Sequence, residues 1–244
     1  MKKRIWELDM LRGFFMILIM LFHLWYDLVY LYGLTTLDTA AKQFFFGLGN
    51  DFGGTPFLLI SGLCATIGSK PIKRGLQVIG GGMVISLVTA GMCFLNFSDR
   101  SIIIYFGVLH CIGVCMLLWP LFKKLPTWAV LLLGIVMTAA GLYLKYEPMW
   151  ADHPWLTIFG IPAHGFASSD YFPLLPNLGY FLIGAAAGRK LYPERVSLFS
   201  CSILPLQSIT APLCFIGKHS LIFYLLHQPV MAGAIGLGLM LFRR

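Results

Sequence analysis

The sequence predicts an all-α protein: a polytopic transmembrane helix bundle of about seven spans, with its N-terminus on the cytoplasmic side. Three observations predict it. Hydrophobic residues make up 58% of the 244 and charged residues only 11%, less than half the charged share of a soluble domain. The charges are clustered and leave long uncharged runs between them. In lipid every backbone amide must find its partner inside the protein, so such runs are helices; a barrel would show short alternating strands instead.

A span needs roughly 20 apolar residues. Seven runs approach that length: 11–32, 52–68, 75–97, 102–121, 128–144, 172–187 and 215–242. The second and sixth are short. Segment 196–213 is open between an interfacial stretch and an eighth span. There is no internal repeat and no low-complexity linker, so residues 1–244 are expected to form one domain. With the N-terminus inside, the inner segments are 1–4, 70–74, 123–124 and 189–195, each of them basic. The outer segments are poorer in Lys and Arg, with Arg100, Arg243 and Arg244 dissenting.

The net charge of +8 therefore reads as a topology signal at the ends of apolar runs rather than a nucleic-acid surface, and no nucleic acid is expected. Cys64, Cys93, Cys111, Cys115, Cys201 and Cys214 fall mostly in or beside apolar runs without a CxxC pair. They read as small core residues, and neither a disulfide framework nor a metal site is expected. The first apolar run is too long for a cleavable signal and contains Arg12, His23 and Asp27.

Polar groups inside a membrane are costly, so they mark function. The first span carries Asp9, Arg12, His23 and Asp27. At 100° per residue the eleven-residue step from Arg12 to His23 is about three turns, ending about 20° off, and covers roughly 16 Å. Asp9 and Asp27 fall about 60° from Arg12 on the same side. His23 is the group that can take and return a proton near neutral pH. Asp27, one turn on, is placed to accept from the imidazole and fix its tautomer. Arg12 offers a planar fork of donors to a phosphate or a polarised carbonyl. The bland alternative is an arginine that snorkels to the inner headgroups and a histidine satisfied in the core.

Other polar residues on apolar runs are candidates to line the same pocket: Asp51 opening the second span, Ser61 within it, His110 in the fourth, and Asn177, Ser220 and His227 in the later ones. Each is as readily interhelical glue. The outer loop 145–171 is long enough to shape a binding mouth, with His153, His164 and Asp170 at the entrance.

Leu8–Asp9–Met10–Leu11–Arg12–Gly13 followed by His23 resembles the Arg-x10-His pattern of the transmembrane acyltransferase superfamily. Ile60–Ser61–Gly62 and the stretch from Ser220 to Pro229 resemble acyltransferase type 3 proteins. The run from Phe106 to Gly113, and that from Asp170 to Gly179, are similar to the branch containing heparan-α-glucosaminide N-acetyltransferase and its small bacterial allies. The resemblance covers Leu8 to Pro229. It implies a protein of the bacterial cytoplasmic membrane that moves an acyl group, acetyl by this branch, from cytosolic acyl-coenzyme A to a sugar or glycan acceptor outside. By position Arg12 would serve the donor and His23 catalysis. The chain departs from the heparan branch, where the proposed catalytic His follows the first helix and the position matching His23 is Asn; residues 33–44 here contain no His.

That chemistry suits the charges. Coenzyme A is a polyanion, and Lys2, Lys3, Arg4, Lys70, Lys73 and Arg74 form a basic inner rim to receive it, with Arg12 beside them. A homodimer is compatible with the sequence. Two other classes stay open: a proton-coupled transporter using His23 and Asp27 as a relay, and a haem protein ligated by His23, His110 or His227.

Overall fold

Proline and glycine decide where the helices start and how closely they pass. The computed structural model describes residues 4–33, 53–147, 149–199 and 204–242, the side chains of 204–209 and 242 excepted. Eight α-helices lie among the described residues: α1 (Trp6–Tyr26), α2 (Thr55–Ile67), α3 (Pro71–Phe94), α4 (Val108–Phe122), α5 (Thr127–Tyr146), α6 (Leu174–Leu191), α7 (Leu204–Lys218) and α8 (Ser220–Phe242). Pro71 sits in the first turn of α3, and Pro126 and Pro173 are the N-caps of α5 and α6, positions where a missing amide proton costs nothing. The all-helical expectation stands: the only β features among the described residues are two isolated bridges, Phe106 with Tyr171 and Ala151 with Ala163.

Four stretches are long and apolar enough to cross a membrane: Trp6–Leu31, Pro71–Phe94, Thr127–Tyr146 and Ser220–Leu241. At 13 and 15 residues, α2 and α4 are apolar but shorter. They measure roughly 20 Å and 23 Å against a hydrocarbon core of about 30 Å.

Two boundaries differ from expectation for a local reason. Residues 103–107 are not helical: a 3₁₀ turn at Arg100–Ile102 leads into extended backbone, and Phe106 bridges to Tyr171 before α4 begins. The run expected at 215–242 is divided at His219. Its amide donates to the carbonyls of Phe215 (3.2 Å) and Ile216 (3.1 Å), closing α7 before α8 starts. The segment left open at 196–213 thus supplies most of α7.

The chain divides into two compact units, Met1–Pro56 with Val196–Arg244, and Phe57–Arg195. In the first, α1 packs on α7 and α8. A Cβ on Gly13 would strike the Leu213 carbonyl, and one on Gly217 the Asp9 carbonyl. Glu7, buried at the start of α1, accepts from the Ser197 hydroxyl (2.7 Å) and the Leu198 amide (2.8 Å). In the second unit, α3 and α4 cross where Gly75 and Gly113 face each other's carbonyls at 2.9 and 2.8 Å from the missing Cβ atoms. Gly62, Gly184 and Gly188 bring α2 against α6 in the same manner. Lipid offers no hydrophobic drive for helices to associate, so close backbone approach at small residues supplies the dispersion contact instead.

Candidate active site

Three polar rungs run along α1 in the first unit. Nearest the N-terminus, Asp9 is buried and accepts from both Arg4 Nε (2.5 Å) and Arg12 Nη1 (3.4 Å). Arg12 is therefore partly neutralised by a carboxylate three residues back, and its side chain is 22% exposed. A groove of about 380 Å³ opens beside this rung, lined by Arg4, Trp6, Asp9, Cys214, Phe215 and Lys218 among others.

The second rung joins α1 to α8 through two imidazoles. His23 Nδ1 lies 3.0 Å from the Ile19 carbonyl and 3.2 Å from His227 Nε2. His227 Nδ1 in turn lies 2.7 Å from the Tyr224 carbonyl. The rings meet edge to face, with centroids 4.9 Å apart. His227 is buried and His23 half-buried. Among the described residues, His23 Nε2 has no hydrogen-bond partner.

On the third rung the partner of Asp27 is not the expected His23: among the described residues its Oδ1 accepts from Gln228 Nε2 at 2.7 Å. The physical reason is the neighbouring helix: Gln228 follows His227 on α8 and claims the carboxylate, just where α1 widens into a π-turn at Asp27–Leu31. Such turns often accompany functional positions. Asp27 is 1% exposed, and its Oδ2 and Gln228 Oε1 are buried without a partner among the described residues.

The second unit brings together the two stretches that carried the heparan-branch resemblance. Phe172 donates its amide to the Phe106 carbonyl at 3.0 Å, and Val108, at the first position of α4, donates to Asp170 Oδ2 at 3.1 Å. A carboxylate at a helix N-terminus is favoured by the local dipole. His110 is buried and both ring nitrogens are occupied: Nδ1 accepts from the Gly107 amide (3.3 Å), and Nε2 faces Ser86 Oγ (3.5 Å). Its ring lies over Gly82, where a Cβ would come within 2.9 Å. Asn177 is likewise spent within the unit, its Nδ2 donating to the Pro173 carbonyl at 2.7 Å.

Toward the outer loop a cavity of about 540 Å³ is lined by Arg100, Tyr105, Phe106, Thr157 and Phe166 among others. His164 stacks on Trp150 and His153 on Trp155. Burial pushes the Tyr171 hydroxyl up to about 12, keeping it a donor to the Thr157 carbonyl at 2.6 Å.

The remaining expected residues are scattered. Lys70, Lys73 and Arg74 are exposed around the start of α3 in the second unit. Ser61 is buried on α2, and Ser220 is half-buried at the first position of α8. Asp51 lies outside the described residues, as do Lys2 and Lys3. Neither cavity contains Arg12 or His23.

The profile of the heparan-alpha-glucosaminide N-acetyltransferase catalytic family matches residues 4–229. The chain belongs to that family. No curated protein and no solved structure matches it. The family match spans all three rungs of α1 and both facing stretches of the second unit. Together with the apolar helices, it makes the chain an integral membrane protein with an acetyltransferase-like function. A transporter is not what this family favours.

Residue-by-residue reading passed over Glu7 and Gln228. Gln228 carried a usable signal, since an uncharged amide beside a histidine in an apolar run needs an interhelical partner. Glu7 had none, because an acid at a membrane end reads as solvated.

Proposed function

We propose that the protein transfers an acetyl group from cytosolic acetyl-coenzyme A to a hydroxyl or amine of a sugar or glycan on the outer side of the bacterial cytoplasmic membrane. The chain works as one domain over 1–244, with its N-terminus inside and about seven crossings. The observation that carries the reading is His23, a half-buried imidazole in a long apolar helix whose Nε2 no neighbour occupies among the described residues, within a chain of the acetyltransferase family.

His23 is the general base. Its Nε2 takes the proton of the acceptor as the acceptor oxygen or nitrogen attacks the thioester carbonyl. The carbon–sulfur bond breaks, the acetyl group stays on the acceptor, and the proton passes to the sulfur as coenzyme A leaves. Arg12 serves the donor through its planar guanidinium, with Asp9 holding it in place. Lys70, Lys73 and Arg74 raise the local concentration of a polyanionic donor through their field alone, which requires no direct contact with the reacting atoms. The acceptor enters past the aromatic outer loop.

The test supplies acetyl-coenzyme A inside proteoliposomes and candidate sugars outside, and measures released coenzyme A. The reading expects sugar-dependent release by the wild type and its loss in His23→Ala. Release that survives intact in the variant shows that another group is the base. No release with any sugar overturns the acyltransfer reading itself.

A further inference from the structure

We infer that His227 is a positioning residue for His23, fixing its neutral Nδ1–H tautomer so that Nε2 is the nitrogen free to accept a proton. The inference rests on the reading of His23 as the base. It follows from which atoms along the rung are able only to accept.

The Tyr224 carbonyl is an acceptor and nothing else, and His227 Nδ1 lies 2.7 Å from it. His227 Nδ1 therefore carries its proton, and in a neutral ring the lone pair is left on Nε2. That lone pair points at His23 Nδ1, 3.2 Å away. The Ile19 carbonyl, a second pure acceptor, approaches the same nitrogen at 3.0 Å. Two acceptors converge on one atom, so His23 Nδ1 bears the proton and shares it between them. The His23 lone pair is forced onto Nε2.

The two acceptors differ in what they add. The Ile19 carbonyl belongs to the same helix, one turn back, and follows α1 wherever it goes. His227 comes from α8 and is buried, so it fixes the ring against rotation about its own side-chain bonds. When His23 gains a proton on Nε2, its Nδ1–H becomes a stronger donor, and His227 Nε2 is the acceptor that gains from it. A carboxylate performs this service in hydrolytic triads; here Asp27, the nearest carboxylate on α1, is held by Gln228 instead. A neutral histidine can do it without burying a negative charge next to the base.

The experiment has a spectroscopic arm and a kinetic arm. Protein labelled with ¹⁵N-histidine and reconstituted in bilayers is expected to show His23, assigned by its absence in His23→Ala, as the Nδ1–H tautomer with a bare Nε2. In His227→Phe, which keeps an aromatic ring but offers no acceptor, the His23 signals are expected to shift toward a mixture of tautomers. In the coenzyme A release assay kcat of that variant is expected to fall by about tenfold or more, a share of the worth of a positioned base, with KM for acetyl-coenzyme A unchanged. His227→Gln presents a carbonyl oxygen at similar reach and is expected to restore the tautomer and most of kcat. A wild-type His23 protonated on Nε2 overturns the inference outright. So does a folded His227→Gln as impaired as His227→Phe, or a His227→Phe with tautomer and kcat both unchanged. If His227→Phe does not fold, the wild-type spectrum and His227→Gln still decide. If the wild type consumes no thioester, the reading of His23 as a base falls while the tautomer assignment stands or falls on its own spectrum.

Discussion

His23 and His110 are both buried or half-buried histidines on apolar helices, each beside a stretch that resembles an acyltransferase, yet their surroundings differ in kind. At His110 both ring nitrogens are spent. One closes the N-terminus of α4 by accepting from Gly107, the other reaches Ser86 on α3, and Gly82 leaves room for the ring. At His23 the hydrogen bonding among the described residues converges on Nδ1, and Nε2 is left over. The difference teaches that burial alone does not mark a catalytic histidine. A ring hydrogen-bonded at both nitrogens has none left to give a substrate, whereas one bonded through Nδ1 alone keeps its chemistry at Nε2.

The sharpest way to break this comparison is to remove each ring. His23→Ala is expected to lower kcat by roughly a hundredfold or more, the usual worth of a positioned base, and to cost in stability about 1 kcal/mol for the hydrogen bond that His227 Nε2 loses. His110→Ala is expected to act on stability and not on turnover. It strands the Gly107 amide and opens a void over Gly82, while the Ser86 hydroxyl keeps its bond to the Ile104 carbonyl, for a loss of about 1–3 kcal/mol in stability, with kcat per folded molecule close to wild type. Thermal unfolding and coenzyme A release, measured on the same preparations, check both. If both variants lose turnover alike, the contrast between free and spent nitrogens is wrong.

Much of this was legible in the sequence, for reasons that can be traced. The helical class follows from the long uncharged runs, because a bilayer leaves the backbone few alternatives. The eleven-residue step from Arg12 to His23 placed both on one side of α1 because only helix geometry is needed for that sum. What the spacing did not carry was the identity of the partners. Asp27 sits one turn from His23, and within a single helix the pairing looks natural; Gln228, 201 residues away, takes the carboxylate instead. Arg12 reads as a free cation until Asp9 and Arg4 are seen sharing one site. The break at His219 was hidden because apolar residues continue on both sides of it. Tertiary partners decide these points, and periodicity along one chain does not contain them.

A second contrast lies between the two sets of cations. Arg12 is anchored by Asp9 and 22% exposed, whereas Lys70, Lys73 and Arg74 are exposed. Arg12→Ala is expected to weaken acetyl-coenzyme A binding by about tenfold, in the range of one charge-assisted hydrogen bond discounted for exposure. Lys at the same position should recover only part of it, since an ammonium lacks the planar fork. Replacing Lys70, Lys73 and Arg74 together by Gln should slow donor association, with an effect that fades as salt rises. Titration calorimetry at two ionic strengths separates the two behaviours. An Arg12 effect that vanishes with salt like that of the lysines would mean that it too acts only through its field.

The smallest expected effect compares neighbouring rungs of α1 and bears on the role first suggested for Asp27. Were Asp27 the partner of His23, Asp27→Asn would misorient the imidazole and reduce turnover, as the same change does in a hydrolytic triad. The structure pairs Asp27 with Gln228, and that bond requires only an acceptor oxygen. Asn supplies one at the same place, and its amide can donate to the Gln228 oxygen that otherwise lies buried without a partner among the described residues. Asp27→Asn is therefore expected to change stability by less than about 1 kcal/mol, the worth of one neutral hydrogen bond, and to leave the His23 tautomer as it is in the wild type. Asp27→Leu fills the space but strands Gln228 Nε2 in a buried site, and is expected to cost about 1–3 kcal/mol. Thermal unfolding of the two variants beside the wild type checks the ordering. An Asn variant that loses turnover and shifts the His23 ring signals would put the carboxylate back on the imidazole and remove the distinction between the second and third rungs.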